Sequence, residues 1–199
     1  MTDRTLPSAR AVLDFWLGEV GEAGWYAGGE ALDALCRERF GPLWERAMEG
    51  GLGPWLASPQ EALAYLILTD QLPRNMFRGD ARAFASDPLA RAAAKAAISR
   101  DWDLKVEPPA RQFFYMPLEH SESLVDQDRA VRLFKARYPG DPDMLLYAVV
   151  HREQIRRFGR FPGRNAALGR TSTPAEEAFL AEGGQHGLFR RMKAARQGG

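Results

Sequence analysis

SPQEALAYLIL (Ser58–Leu68) is the stretch on which the fold class turns. A serine hydroxyl can accept an orphan amide proton of a first helical turn, and Pro59 presets φ where its missing N–H costs nothing. Glu61, three residues after Ser58, completes the pattern of a capping box. From Ala62 to Leu68 the chain is apolar on all sides and rich in alanine and leucine, so it reads as a buried helix and not as a strand. Such an element belongs at the centre of a helical core.

Working outward, the same start signal recurs as Asp87-Pro88, Asp141-Pro142 and Thr173-Pro174, the last with Glu176 in the capping-box position. Residues Ser121–Tyr138 place Leu124, Val131, Phe134 and Tyr138 on one helical face, and Asp141–Phe158 do the same with Met144, Ala148, Ile155 and Phe158. Further helices are expected at Ser8–Leu17, Glu30–Met48 with a kink near Gly41 and Pro42, Asp87–Arg100, Pro109–Met116, Thr173–Ala181 and Gln185–Ala195. No run of alternating β-branched residues and no Gly/Ser linker interrupts this pattern. The expectation is an all-α chain of about eight or nine helices packed as antiparallel hairpins, with residues 1–199 forming one compact domain.

Composition narrows the function classes. With 199 residues, 45% of them apolar, one substantial core can form. Lys plus Arg number 27 and Asp plus Glu 26, a balance that lacks the global positive field of a polybasic protein, so nucleic-acid binding is not expected without a local patch. Cys36 is the single cysteine, which excludes an intrachain disulfide or a CxxC pair and fits a reducing compartment. The longest strongly apolar run is far shorter than the roughly 20 residues of a membrane helix, and Asp14 and Glu19 interrupt the first 20 positions. A cytoplasmic protein without membrane attachment is expected. The charge is nonetheless polarised along the chain: residues 1–70 carry 5 basic and 11 acidic side chains, and 71–199 carry 22 and 15.

Several polar residues stand where the periodicity wants apolar ones. His151 lies in the stripe Met144, Ala148, Ile155, Phe158, and Gln127 in the stripe Leu124, Val131, Phe134, Tyr138. An unpaired buried polar group costs roughly 1–3 kcal/mol, so each needs a partner, and the two are candidates for one internal network. Asp70 follows the buried helix where the helix dipole disfavours a carboxylate, and Arg74, Arg78, Arg160 and Arg164 are candidates to offset it. From His151 to Arg170 there are six arginines against one acid, Glu153, with Phe158 and Phe161 interleaved. Such a stretch either pairs with the acidic first third of the chain or clamps a small anion, and more weakly it fits a nucleic acid or a partner protein. Near FFYMPLEHSE (Phe113–Glu122), an imidazole at His120 flanked by Glu119 and Glu122 has the makings of a general base held in one tautomer, or else merely begins the next helix. HExxH, GxSxG, Walker and GxGxxG signatures do not occur, and no metal or cofactor is expected.

An echo links QLPRN (71–75) with RFPGRN (160–165): an apolar residue, a proline, then Arg-Asn. Together with VLDFW (12–16), TDQLPRNMFRG (69–79), AFASD (83–87), FFYMPLEHSE (113–122), Asp126-Gln127, FGRFPGRN (158–165) and LGRTSTP (168–174), it resembles a bacterial family known as domain of unknown function 924. The resemblance spans nearly the whole chain and implies a TPR-like all-helical fold, with no established activity to carry over. One departure is visible: Gly163 stands where the family usually shows a histidine between proline and arginine. The family motifs include Asp70, Gln71, Arg74, Asn75, Arg78, His120, Glu122, Gln127, His151, Arg160, Arg164 and Asn165, the positions that the residue reading also singles out.

Two functional expectations follow. In the first, an arginine- and histidine-lined cleft binds a small anionic molecule, in one version an aromatic one. If it is also an enzyme, His120 or His151 acts as acid or base, Arg74, Arg160 and Arg164 hold the anion, and Asp70 and Glu122 orient them, with Asn75, Arg78, Gln127 and Asn165 completing the lining. In the second, the protein is a non-enzymatic interaction module that holds a peptide or self-associates, and the polar network is architectural.

Overall fold

The structure is a computed structural model that describes residues 6–197, and every regular element among them is a helix. The chain divides into two compact units, one ending at Pro117 and one beginning at Leu118. No helix among the described residues is long and apolar enough to cross a membrane.

In the first unit, α1 (Ala9–Leu13) is capped by Ser8 and runs through a π-helical turn (Asp14–Val20) into α2 (Gly21–Trp25). The long α3 (Glu30–Met48) carries Pro42 without ending there. The apolar stretch after Ser58 forms α4 (Pro59–Leu66), and every residue from Ala62 to Gln71 is buried. Its capping box is only half made. Ser58 Oγ accepts the Glu61 amide at 3.3 Å, but the Glu61 carboxylate takes the Ser58 hydroxyl proton at 3.0 Å.

The buried helix does not stop near Asp70 as the sequence suggested. It widens into a π turn (Ile67–Gln71) and continues as α5 (Leu72–Met76). Pro73 supplies the reason: it has no N–H to offer the Thr69 carbonyl four residues back. The Leu72 amide instead reaches back five residues to Ile67, and the freed Thr69 carbonyl accepts the Ser86 hydroxyl at 2.6 Å. Trp44 Nε1 then donates to Ser86 Oγ at 2.9 Å, so a proline in one helix is answered by a tryptophan of α3 and by the serine that precedes the next helix.

After α6 (Asp87–Ile98), the segment expected to be helical over Pro109–Met116 is a 3-10 turn (Ala110–Phe114) followed by the short α7 (Met116–Glu119). Pro117 cannot donate to the Phe113 carbonyl, which rules out an uninterrupted α-helix here. Phe113, Phe114 and Tyr115 are buried, and Tyr115 donates its hydroxyl proton to the buried Asp103 at 2.7 Å.

The second unit contains α8 (Leu124–Arg137), α9 (Pro142–Phe158), α10 (Pro174–Ala181) and α11 (Gly184–Gln197). A short link folds α9 back against α8, with Ala130 and Ala148 fully buried. Asp141 Oδ1 accepts the Asp143 and Met144 amides, and Thr173 with Glu176 forms a capping box in both directions. Gly159, left-handed at φ 70°, ends α9 and turns the chain toward the arginine-rich loop. Leu146, Val150, Phe179 and Leu188 form the apolar centre, with Phe158, Phe189 and Met192 against it.

Candidate functional site

The polar residues at apolar positions come together in the second unit. His151 projects from α9 with 8% of its surface exposed, and Gln127 from α8 is fully buried. His151 Nδ1 lies 2.6 Å from Glu119 Oε1 and 2.8 Å from the Tyr147 carbonyl oxygen. A carbonyl can only accept, so these two partners place the proton of neutral His151 on Nδ1 and leave Nε2 as the acceptor. Gln127 Nε2 donates to the backbone carbonyls of Glu119 and Ser121 at 2.5 and 2.7 Å. Glu119 is therefore the link between Gln127 and His151. Its second oxygen, Oε2, is buried without a hydrogen-bond partner, and so is Gln127 Oε1.

The half-buried His120 lies beside this pair, its ring centroid 5.9 Å from that of His151. Phe161 meets His151 edge-on at 5.7 Å, and the Arg164 guanidinium stands 4.5 Å from the Phe161 ring centre. Arg164 also donates to the His120 carbonyl at 2.9 Å. Two imidazoles, a phenyl ring and a guanidinium thus form one contiguous row.

Arg160 and Arg170, which flank Arg164 on the loop, are tied to carboxylates. Arg160 grips Glu176 through Nε and an Nη at 2.6 and 2.7 Å and donates to the Thr171 carbonyl. That guanidinium, with the Thr173 amide, holds the Glu176 carboxyl down at about 2. Arg170 binds both oxygens of Glu122 at 2.8 and 3.0 Å, and the Phe161 amide adds a third bond. Burial pushes the Glu122 carboxyl up, but the Arg170 and Phe161 hydrogen bonds and the charges of Arg170 and Arg164 outweigh it, and the net shift is downward. Asn165 Nδ2 donates to Ser172 Oγ at 3.0 Å, and its side-chain Oδ1 is buried without a partner.

The remaining sequence-predicted residues lie in the first unit. Arg74 sits between Asp70 and Asp87, at 3.4 and 3.1 Å, and also donates to the Asp70 carbonyl. Asp87, read in the sequence as a helix cap, is thus committed to Arg74, and the residue at the cap position is Ser86. Arg78 is bidentate on Asp33 at 2.7 and 2.9 Å, and Asn75 donates to the same carboxylate at 2.9 Å. Those bonds lower the Asp33 carboxyl despite its burial. Burial pushes the Cys36 thiol up to about 12, which removes it as a nucleophile at neutral pH. Two surface grooves of about 500 and 470 Å³ also lie in this unit, and neither is lined by a sequence-predicted site residue.

Glu119, Asp33 and Glu176 were missed as partners by sequence reasoning. The first stood in view beside His120, but a carboxylate adjacent in sequence points elsewhere: Glu119 serves the histidine of another helix, and Glu122 serves Arg170. No group of three or more His, Cys, Asp or Glu among the described residues is placed to hold a metal ion.

Three comparisons bear on this arrangement. The profile of a family described as bacterial protein of unknown function (DUF924) matches residues 12–184. The chain is 40% identical to a structurally determined protein of unknown function from Agrobacterium tumefaciens, with a TM-score of 0.82, over 87% of this chain and 97% of that one. No curated protein matches.

Proposed function

The chain belongs to the bacterial protein family of unknown function DUF924, and from that premise we propose that its second unit binds a small anionic molecule with a planar or aromatic part. The observation that carries this reading is the row His120, His151, Phe161, Arg164, with spacings of 5.9, 5.7 and 4.5 Å. Imidazole edges and a phenyl ring can flank a planar group, and a guanidinium beside an aromatic ring supplies positive charge at the same place. In this reading His120 and Arg164 touch the ligand, Arg160, Arg170, Glu122 and Asn165 hold the loop that presents them, and the protein works in the cytoplasm.

A thermal-shift series with benzoate, adenosine monophosphate and inorganic phosphate tests it. A ligand that binds only the folded state stabilises it by about 2.7 kcal/mol at a hundredfold excess over Kd. At least one planar anion raises the melting temperature, and His120→Ala and Arg164→Ala remove the rise while leaving the fold intact. A series without any shift, or a shift that survives both substitutions, overturns the reading.

A second reading has its own support. Arg74, Arg78, Arg160 and Arg170 each engage a carboxylate, which is what an architectural polar network requires of its guanidinium groups. Under it the protein is a TPR-like interaction module that holds a peptide or self-associates. Sedimentation that shows a concentration-dependent oligomer, with no anion-induced stabilisation, favours this alternative.

A further inference from the structure

Three buried carboxylates, Asp33, Asp87 and Glu176, and the half-buried Glu122 share one kind of partner, which the buried Glu119 lacks. Asp33, Asp87, Glu122 and Glu176 are each engaged through both oxygens by an arginine. Three of them receive an additional N–H, from the Asn75 amide, the Phe161 backbone and the Thr173 backbone respectively. These are saturated structural clamps. Glu119, with 2% exposure, has an imidazole as its charge partner instead, and among the described residues its Oε2 is the carboxylate oxygen that is buried with no hydrogen-bond partner. An under-satisfied buried carboxylate oxygen is costly, so its retention at Glu119 points to a role beyond packing.

We propose that Glu119 and His151 form a proton-transfer pair in which His151 Nε2 exchanges a proton with the bound small molecule and Glu119 is the positioning residue behind it. This rests on the reading that the second unit's polar cluster receives a small molecule. The Nδ1 side of His151 is occupied by Glu119 Oε1 and the Tyr147 carbonyl, so exchange is left to Nε2. The His151 side chain retains 11% of its surface, so the ring is not sealed. Its ring borders those of His120 and Phe161.

The step balances without a co-reactant. An O–H or acidic C–H bond of the ligand breaks, its electron pair stays on the ligand atom, and the proton forms the Nε2–H bond. The resulting imidazolium is held through Nδ1–H by the Glu119 carboxylate, whose under-solvated charge gains a cationic partner at that moment, and the proton returns to the ligand in the reverse step. Glu119 does not take the proton itself. The residue missing from the sequence-based candidates thereby acquires a role, and Glu122, assigned an orienting role there, holds Arg170 instead.

Diethyl pyrocarbonate, which acylates an unprotonated imidazole nitrogen, tests the pair without knowledge of the ligand. In the intact protein at a pH where the imidazole is neutral, peptide mapping finds ethoxyformylation at His151, and Glu119→Gln, which keeps a hydrogen-bond acceptor but loses the charge that stabilises the developing positive charge on the ring, slows it about threefold or more. His151 that stays unmodified, or modified at an equal rate in both proteins, overturns the proposal. Long-range proton–nitrogen NMR of the unsubstituted protein gives an independent readout: neutral His151 carries its proton on Nδ1, and a proton on Nε2 overturns the pair even if the variant does not fold. Anion-induced stabilisation combined with an equal rate defeats the pair and leaves the binding reading standing. A slowed rate without any anion effect does the opposite.

Discussion

The two Pro-Arg-Asn corners share a short motif and are built on different physics. In the first, Arg74 lies between Asp70 and Asp87, and Asn75 joins Arg78 on Asp33, so both motif side chains end on carboxylates. In the second, Arg164 ends on the His120 carbonyl and the Phe161 ring, and Asn165 on the Ser172 hydroxyl with its own oxygen unpartnered. One corner is closed by charge. The other is closed by a carbonyl, a ring and a hydroxyl beside two imidazoles, and the charge of Arg164 also acts on the Glu122 carboxyl. A repeated motif therefore marks repeated turn chemistry without implying a repeated role.

The sharpest way to break this contrast is to truncate the two arginines separately. Arg74→Ala removes the guanidinium from Asp70, 1% exposed, and from Asp87, and uncompensated buried charge costs about 3–5 kcal/mol. Arg164→Ala removes a hydrogen bond to a carbonyl, a ring contact and a charge acting on the half-buried Glu122, for about 1–2 kcal/mol. Urea unfolding curves of the two variants measure the difference directly. Equal losses would mean that the second corner is as much a structural clamp as the first.

A smaller effect distinguishes the corners by their prolines. Pro73 lies inside a helical stretch and strips the Thr69 carbonyl of its amide, so Ser86 is needed to replace it. Pro162 comes after α9 has ended at Gly159 and opens only a short 3-10 turn. Ser86→Ala should cost roughly 1–3 kcal/mol, because the Thr69 carbonyl and the Trp44 indole N–H both lose their partner in a buried place. Loss of the Trp44 bond also changes the tryptophan fluorescence of the folded state, which separates this local effect from general destabilisation.

The sequence made the helices legible because their signals are local. Capping residues at Ser58, Asp141 and Thr173 act within one turn, and the apolar spacings of α8 and α9 need only the helical period. Positions where the reading slipped are those at which a distant group decides the outcome: Asp87 leaves its capping role for Arg74, and the path through Ile67–Gln71 depends on Ser86. The candidate site was legible as a set of residues and not as a set of pairs. Periodicity shows that His151 and Gln127 face inward, but that Glu119 joins them, or that Arg160 turns to Glu176, depends on contacts between elements, which one-dimensional spacing does not encode.

The Arg160–Glu176 clamp is read from the way its contribution disappears in acid, and the sign is fixed by the direction of the shift. Glu176 is held at about 2, against 4.5 for an unperturbed glutamate, chiefly by the Arg160 hydrogen bond. A carboxyl lowered in the folded state contributes stability that is fully present above its unfolded value and is lost as the pH falls through its folded value. The gap in melting temperature between the unsubstituted protein and Glu176→Gln should therefore be constant from neutral pH down to about 5, close between roughly 4.5 and 2, and vanish below. A gap that stays unchanged down to pH 2 would mean that the Arg160–Glu176 pair contributes nothing to folding through the charge of Glu176, and that this clamp holds geometry alone.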